Sequence, residues 1–241
     1  MVLLRPRWLL TILMAACLAG WLFPPMEPAI PPVRPVIAWL AGRGVVLDPG
    51  HGGYDPGVVG PRGEREEEIA LDITLRVRDL LVAAGVEVWL TRTTDEDLVD
   101  PQEAARLRSR KRADLSARLR LVQRVAPAAF VSIHVNSFPS PRWWGPQTFF
   151  DPDGNPANAR LAGTIQESLR RIGPATDRQP APHQGLFLLQ NIPFPAVTVE
   201  VGFVSNPAEA RRLMTGEHRQ ALAWAVFAGI VRFLQQSVIA A

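Results

Sequence analysis

Residues 44–53 read GVVLDPGHGG, a short apolar run that passes directly into a glycine-rich turn holding one histidine, His51. Such a run suits a strand covered on both faces, as in a parallel sheet. Outward from it, Ile69, Leu71, Ile73, Val77, Leu80 and Leu81 fall mostly on one helical face, predicting a helix over Glu66–Ala83 that Gly85 closes. Val86–Thr91 predicts a strand, a basic stretch over 103–126 one helix, and Ala128–Val135 a further strand. Gln147–Phe150, a helix around 157–172, the strand Ala196–Val201 and a last helix over 217–235 follow. Residues 173–195, with five prolines, read as a long loop near the site. Strands that alternate with helices predict an α/β fold of three layers, with a mostly parallel twisted sheet flanked by helices.

The chain has 241 residues, 47% apolar and 20% charged, which suits one globular domain and excludes wholesale disorder. Its single cysteine, Cys17, excludes intrachain disulfides, a thiolate zinc site and a cysteine nucleophile in the folded body. The pI near 9.9 suggests a polyanion binder until the charges are placed. Arg5, Arg7, Arg34 and Glu27 all precede residue 42, leaving 23 basic residues against 22 acidic ones beyond it. A body so nearly neutral predicts no nucleic-acid partner.

Arg5 and Arg7 precede an uncharged, mostly apolar run from Trp8 to Phe23. Residues 1–23 are therefore expected to be a signal or transmembrane anchor with a cytoplasmic N-terminus. Residues 24–41 form a Pro-rich linker, and 42–241 the working body. The expected location is extracytoplasmic, anchored to the cell membrane by the N-terminal segment, or secreted if cleavage follows Ala19. Met14–Cys17 also resembles a poor lipobox.

In open α/β sheets ligands bind beyond the carboxyl ends of the strands. His51 lies just past the first strand, His134 ends another within VSIHVN, and Glu200 ends a third within TVEVGF. Glu66 opens the first helix, whose N-terminus faces the same edge. Two His and one carboxylate with an open position are the ligand set of a catalytic zinc, and a remaining carboxylate can move the proton of a water. Each residue also has an ordinary reading. A strand-end His is usually a hydrogen-bonded structural residue, and Glu66 would complement the helix dipole. Gly50-x-Gly52 fails as a dinucleotide loop, because Asp55-Pro56 stands where a third glycine should open a helix. Glu200 among Val197, Val199 and Val201 is costly unless paired. No Gly-x-Ser-x-Gly occurs, so a serine hydrolase of that type is excluded.

VVLDPGHGGYDPGVVG, then Glu66, VSIHVNS and VEVGFVSNPAE together resemble the zinc-dependent N-acetylmuramoyl-L-alanine amidases, from about residue 44 to 235. IHVNSFPSPRWWGPQTFF is most similar to the CwlD branch, the spore-cortex, germination-specific amidases. The resemblance implies His51, Glu66 and His134 as ligands of Zn2+, and Glu200 as the catalytic carboxylate that activates water. Within the acidic run 64–68, Glu67 and Glu64 are the alternatives to Glu66. It implies peptidoglycan glycan strands with stem peptides as substrate, cut between N-acetylmuramic acid and L-alanine. In that branch the cut is the first step toward muramic-δ-lactam in spore cortex. Control then falls to expression timing or to an activator lipoprotein. A zinc peptidase acting on stem peptides and a catalytically inactive wall-binding module are the competing readings. Trp143 and Trp144 either stack on sugar rings or cover the sheet, and the basic run 106–112 is a solvated helix face or a contact for an acidic partner. His183 and His218 are expected to be structural, while Asp48, Asn136 and Arg178 are expected to support the site.

Overall fold

The computed structural model describes residues 44–173 and 176–239; the anchor, linker and lipobox expectations lie outside the described residues. Six strands form one mixed sheet of order β2-β1-β3-β6-β4-β5. They are β1 (Gly44–Pro49), β2 (Glu87–Leu90), β3 (Ala129–Asn136), β4 (Gln147–Phe150), β5 (Ala181–Pro182) and β6 (Ala196–Phe203). The run β2-β1-β3-β6 is parallel, as alternating strands and helices require. β4 departs from it, lying antiparallel to β6 with Thr148 opposite Val199, and β5 pairs parallel to β4.

The helices are α1 (Glu66–Ala83), α2 (Pro101–Leu107), α3 (Arg110–Val125), α4 (Asn158–Leu169), α5 (Phe187–Asn191), α6 (Pro207–Leu213) and α7 (Gly216–Ile239). Alternation along the strands splits the core. Val45, Leu47, Val131, Ile133, Val197 and Val199 pack with α1, α4 and α7, whereas Val46, Phe130 and Ala196 pack with α3 and α5. On that second face the register continues with Asp48, Ser132 and Thr198 in one row and His134 beside Glu200 in the next. One sheet face thus changes from apolar to polar toward its carboxyl edge. Among the described residues, no helix is long and apolar enough to cross a membrane.

Two expectations need correction. The single helix over 103–126 is two helices: Arg108 adopts a left-handed conformation (φ 51°), and the Ser109 side chain accepts from Arg112 N to start α3. The first of them starts earlier, at Pro101, capped by the Asp100 carboxylate. Residues 173–195 are also not structureless, since they carry β5 and α5.

Candidate metal centre

Each turn around the cluster is shaped to bring side chains together. β1 ends at Pro49, and Gly50 then passes so close to His134 that a Cβ there would collide with its ring. His51 itself has φ 58°, a region that costs a non-glycine residue about 1–2 kcal/mol and persists only where surroundings hold it. Its carbonyl accepts from Arg118 Nη2 at 2.6 Å. α1 begins at Glu66, and acids in its first turn suit the positive end of the helix.

The Glu66 carboxylate sits between the two imidazoles. Its Oε1 lies 2.9 Å from His134 Nδ1, and its Oε2 lies 3.3 Å from His51 Nε2. Backbone N–H groups of Val135 and Val58 donate to the same two oxygens at 2.9 and 2.8 Å. The rings of His51 and His134 meet edge to face, 4.9 Å between centroids. Among the described residues, His51, Glu66 and His134 form the group that could hold a metal ion, with ligand atoms within 4.8 Å of one another. His51 Nδ1 lies 3.0 Å from Asp55 Oδ2, which fixes the ring and leaves Nε2 toward the cluster. Glu200 adds an unmet acceptor: its Oε2 is buried and has no hydrogen-bond partner among the described residues. Two imidazoles, one anionic carboxylate and a further orphaned carboxylate oxygen fit a divalent cation such as zinc.

Electrostatics separate the two carboxylates. Burial would raise Glu66, but its hydrogen bonds to His134 and His51 and their charges hold it well below the ordinary carboxylate range. Burial pushes Glu200 up to about 7; the Glu66 charge adds to the rise, while His134 and His51 work against it. Burial would lower His134, yet Glu66 raises it overall.

The neighbouring acids point elsewhere. Glu67 is fully buried and pairs with Arg65; Glu64 pairs with Arg62 Nη2 at 2.6 Å. Beneath the cluster, Asp48 accepts from Thr91 Oγ1, Ser132 Oγ and Arg118 Nη1, so it supports the site from below. Asn136 lines an open cavity of about 320 Å³ together with His51, Glu66, His134 and Glu200. A second cavity, of about 370 Å³, lies between the sheet and α3/α5, walled by Leu115 and Leu186–Leu189 and opening past His51, His134 and Glu200. Arg178, Trp143 and Trp144 line a separate depression; Arg178 donates to Trp144 O and faces the Phe203 ring. His183 meets Phe149 edge to face, and His218 lies outside the cluster.

Sequence reading missed Asp55, Arg92 and Arg118. Arg92 Nη2 donates to Gly50 O and Glu67 O, and its Nε to Pro49 O; Arg118 holds Pro49 O and His51 O. Two buried guanidinium groups thus fasten the His51 turn. The available signal was Arg118 four residues after Asp114, on the same helix face as Leu115, Leu119 and Val122.

The model of a protein family described as N-acetylmuramoyl-L-alanine amidase matches residues 45–232, nearly the whole described body. The chain belongs to that amidase family. It is 37% identical over 198 residues to the germination-specific N-acetylmuramoyl-L-alanine amidase of Bacillus subtilis, covering 82% of each chain. Among solved structures, it is similar to the CwlD amidase of Clostridioides difficile in complex with the GerS lipoprotein. That match has 33% identity and a TM-score of 0.76, and covers 80% of this chain and 99% of that one. The catalytic domain of the amidase CwlV from Bacillus (Paenibacillus) polymyxa is also similar, at 28% identity and a TM-score of 0.69 over 80% of this chain and 98% of that one. An amidase-family fold therefore surrounds the His51, Glu66 and His134 group.

Proposed function

We propose that this chain hydrolyses the amide between the lactyl group of N-acetylmuramic acid and the L-alanine of peptidoglycan stem peptides, with zinc held by His51, Glu66 and His134. One observation carries the reading: these three donors converge beside the orphaned Glu200 carboxylate in an amidase-family chain. Zinc, when bound, supplies a Lewis acid that polarises the scissile carbonyl and acidifies water. Asp55 keeps a proton on His51 Nδ1, so that Nε2 presents its lone pair. Glu200 takes a proton from the attacking water and delivers it to the departing amine nitrogen. A C–O bond forms as the C–N bond breaks, leaving a lactyl carboxylic acid and a peptide that begins with L-alanine.

We place this hydrolysis in spore cortex, as the step that precedes muramic-δ-lactam formation. The similarity to a germination-specific amidase and to an amidase solved with a lipoprotein supports that setting and an activator lipoprotein as partner. Residues 1–23 would hold the body outside the cell membrane.

The test uses the full-length protein, glycan strands bearing stem peptides, and mass spectrometry of the products. Intact peptides beginning with L-alanine, lost on chelation and in Glu200→Gln, are the expected result. Internally cut peptides would overturn the bond assignment. No cleavage by the zinc-loaded chain, with an activator lipoprotein added, would overturn the enzymatic reading.

A further inference from the structure

Lys111 is the only lysine in the chain. It sits in the first turn of α3, where the helix dipole disfavours a cation. Its neighbour Arg110 is neutralised by Asp97, to which its Nη2 donates at 2.7 Å, and lies over the Tyr54 ring. Among the described residues, Lys111 has no such commitment. Its Nζ is 3.5 Å from Asp55 Oδ2, too far for a good hydrogen bond, and that oxygen already serves His51. The side chain is 63% exposed.

Its place is what gives this ammonium a use. Lys111 lines both cavities that adjoin the cluster, the deep one under α5 and the open one beside Asn136. The other charged groups of those walls are Asp48, Asp55, Glu66, Asp114 and Glu200, with Arg118 as the second cation. Arg118 is buried and spent on Asp48, Asp114 and two backbone carbonyls. Lys111 is therefore the cation in these walls with N–H groups to spare, on a rim otherwise acidic.

A stem peptide brings a matching anion. Its second residue, D-glutamate, is linked through the side-chain carboxyl, so an α-carboxylate stays free one residue beyond the scissile amide. We propose that Lys111 is a specificity-determining residue that binds this free carboxylate of the stem peptide and disfavours peptides amidated there. The proposal rests on the amidase reading and adds what the site selects. An ammonium–carboxylate contact outweighs its amide counterpart because both partners are charged, and a long lysine stem reaches over the rim while its head stays in water.

The test measures kcat/KM of the full-length protein on two muropeptides that differ only in carboxylate or carboxamide at the second residue. The wild type is expected to prefer the carboxylate about tenfold, chiefly through KM. Lys111→Gln should bring that ratio close to one, and Lys111→Arg should keep most of it. A wild type that does not discriminate, or a ratio unchanged in Lys111→Gln, would overturn the proposal. So would equal losses on both substrates, which place Lys111 behind Asp55 and His51 only. A wild type that cleaves neither substrate counts against the amidase reading instead, and a second readout then decides. Amine acylation of this single lysine, mapped by mass spectrometry, should be slowed by L-alanyl-D-glutamic acid γ-methylamide, whose α-carboxylate is free, and not by the same peptide with its α-carboxyl amidated as well. Equal labelling with both peptides would sink the assignment.

Discussion

Glu66 stands between Glu64 and Glu67, and the start of α1 sends the three carboxylates to different places. Glu66 meets both imidazoles, Glu67 turns back to Arg65, and Glu64 holds Arg62. Glu66→Gln should therefore lower bound zinc from about one ion per chain to about a tenth of that, by elemental analysis, while Glu67→Gln keeps its zinc. The reverse pattern would move the ligand to Glu67. The convergence of His51, Glu66, His134 and Glu200 was legible because each lies at a helix start, just past a strand or in its carboxyl-terminal half, and the edge rule collects such residues. β3 and β6 run on to Asn136 and Phe203, past the ends expected at Val135 and Val201. Asp55 was not: it approaches His51 only because the chain reverses at Gly52, whose N–H donates to Asp55 O. Lys111 was hidden in a run of like charges, where spacing alone does not distinguish a spent cation from a free one.

At the scale of elements, the turn after β1 depends on charges buried beneath it. Arg118 donates to Asp48, Asp114, Pro49 O and His51 O from a side chain only 2% exposed. Arg118→Met would leave two carboxylates buried without their counter-ion, so unfolding in urea should show a loss of about 3–5 kcal/mol. Adding Asp48→Asn should cost less than the sum of the two single changes, because the residues share one network. A separate seam joins α4 and α7. A Cβ at Gly229 would come within 2.5 Å of Ile165 Cα, so Gly229→Ala should destabilise by about 1–3 kcal/mol with zinc content unchanged. Core helix α1 could be read from apolar spacing, and α4 and α7 lie where helices were expected, around 157–172 and over 217–235. The break between α2 and α3 could not, since arginine favours helix and a lone Ser109 cap is easily passed over. The direction of β4 was equally closed to reading. Four residues, QTFF, carry no polarity, and only pairing with β6 sets it.

For the whole molecule, the titrating groups make two opposing windows in the metal-free state. Desolvation would raise Asp48, but Arg118, Ser132 and Thr91 bring it down to about 2 from 3.8. A depressed acid stabilises the fold above its unfolded pKa, and that contribution disappears as pH falls from about 4 toward 2. Glu66 acts in the same sense. Glu200 is raised to about 7 from 4.5, so its ionisation costs the folded state stability as pH climbs between those values. The raised His134 loses its contribution in the same direction, from 6.5 upward. Thermal denaturation in chelator should show a maximum near pH 4–5, falling on both sides. Glu200→Gln should flatten the neutral side and leave the acid side intact.

The two arginines beneath the His51 turn also bear on how the proposed zinc would be loaded. Carbonyls of Pro49, Gly50 and His51 are satisfied by Arg92 and Arg118, so the turn keeps its shape through protein contacts alone. Small zinc domains behave otherwise, since their ligands gather only around the metal. On the proposed zinc reading, assembly of the fold and loading of the ion are then separate events, and an emptied chain would be a receptor ready to be refilled. Chelated protein should keep its far-ultraviolet circular dichroism and a cooperative melt, and added zinc should raise the midpoint in proportion to the logarithm of its excess. Such a protein can be shipped without cargo and switched on wherever the ion is supplied.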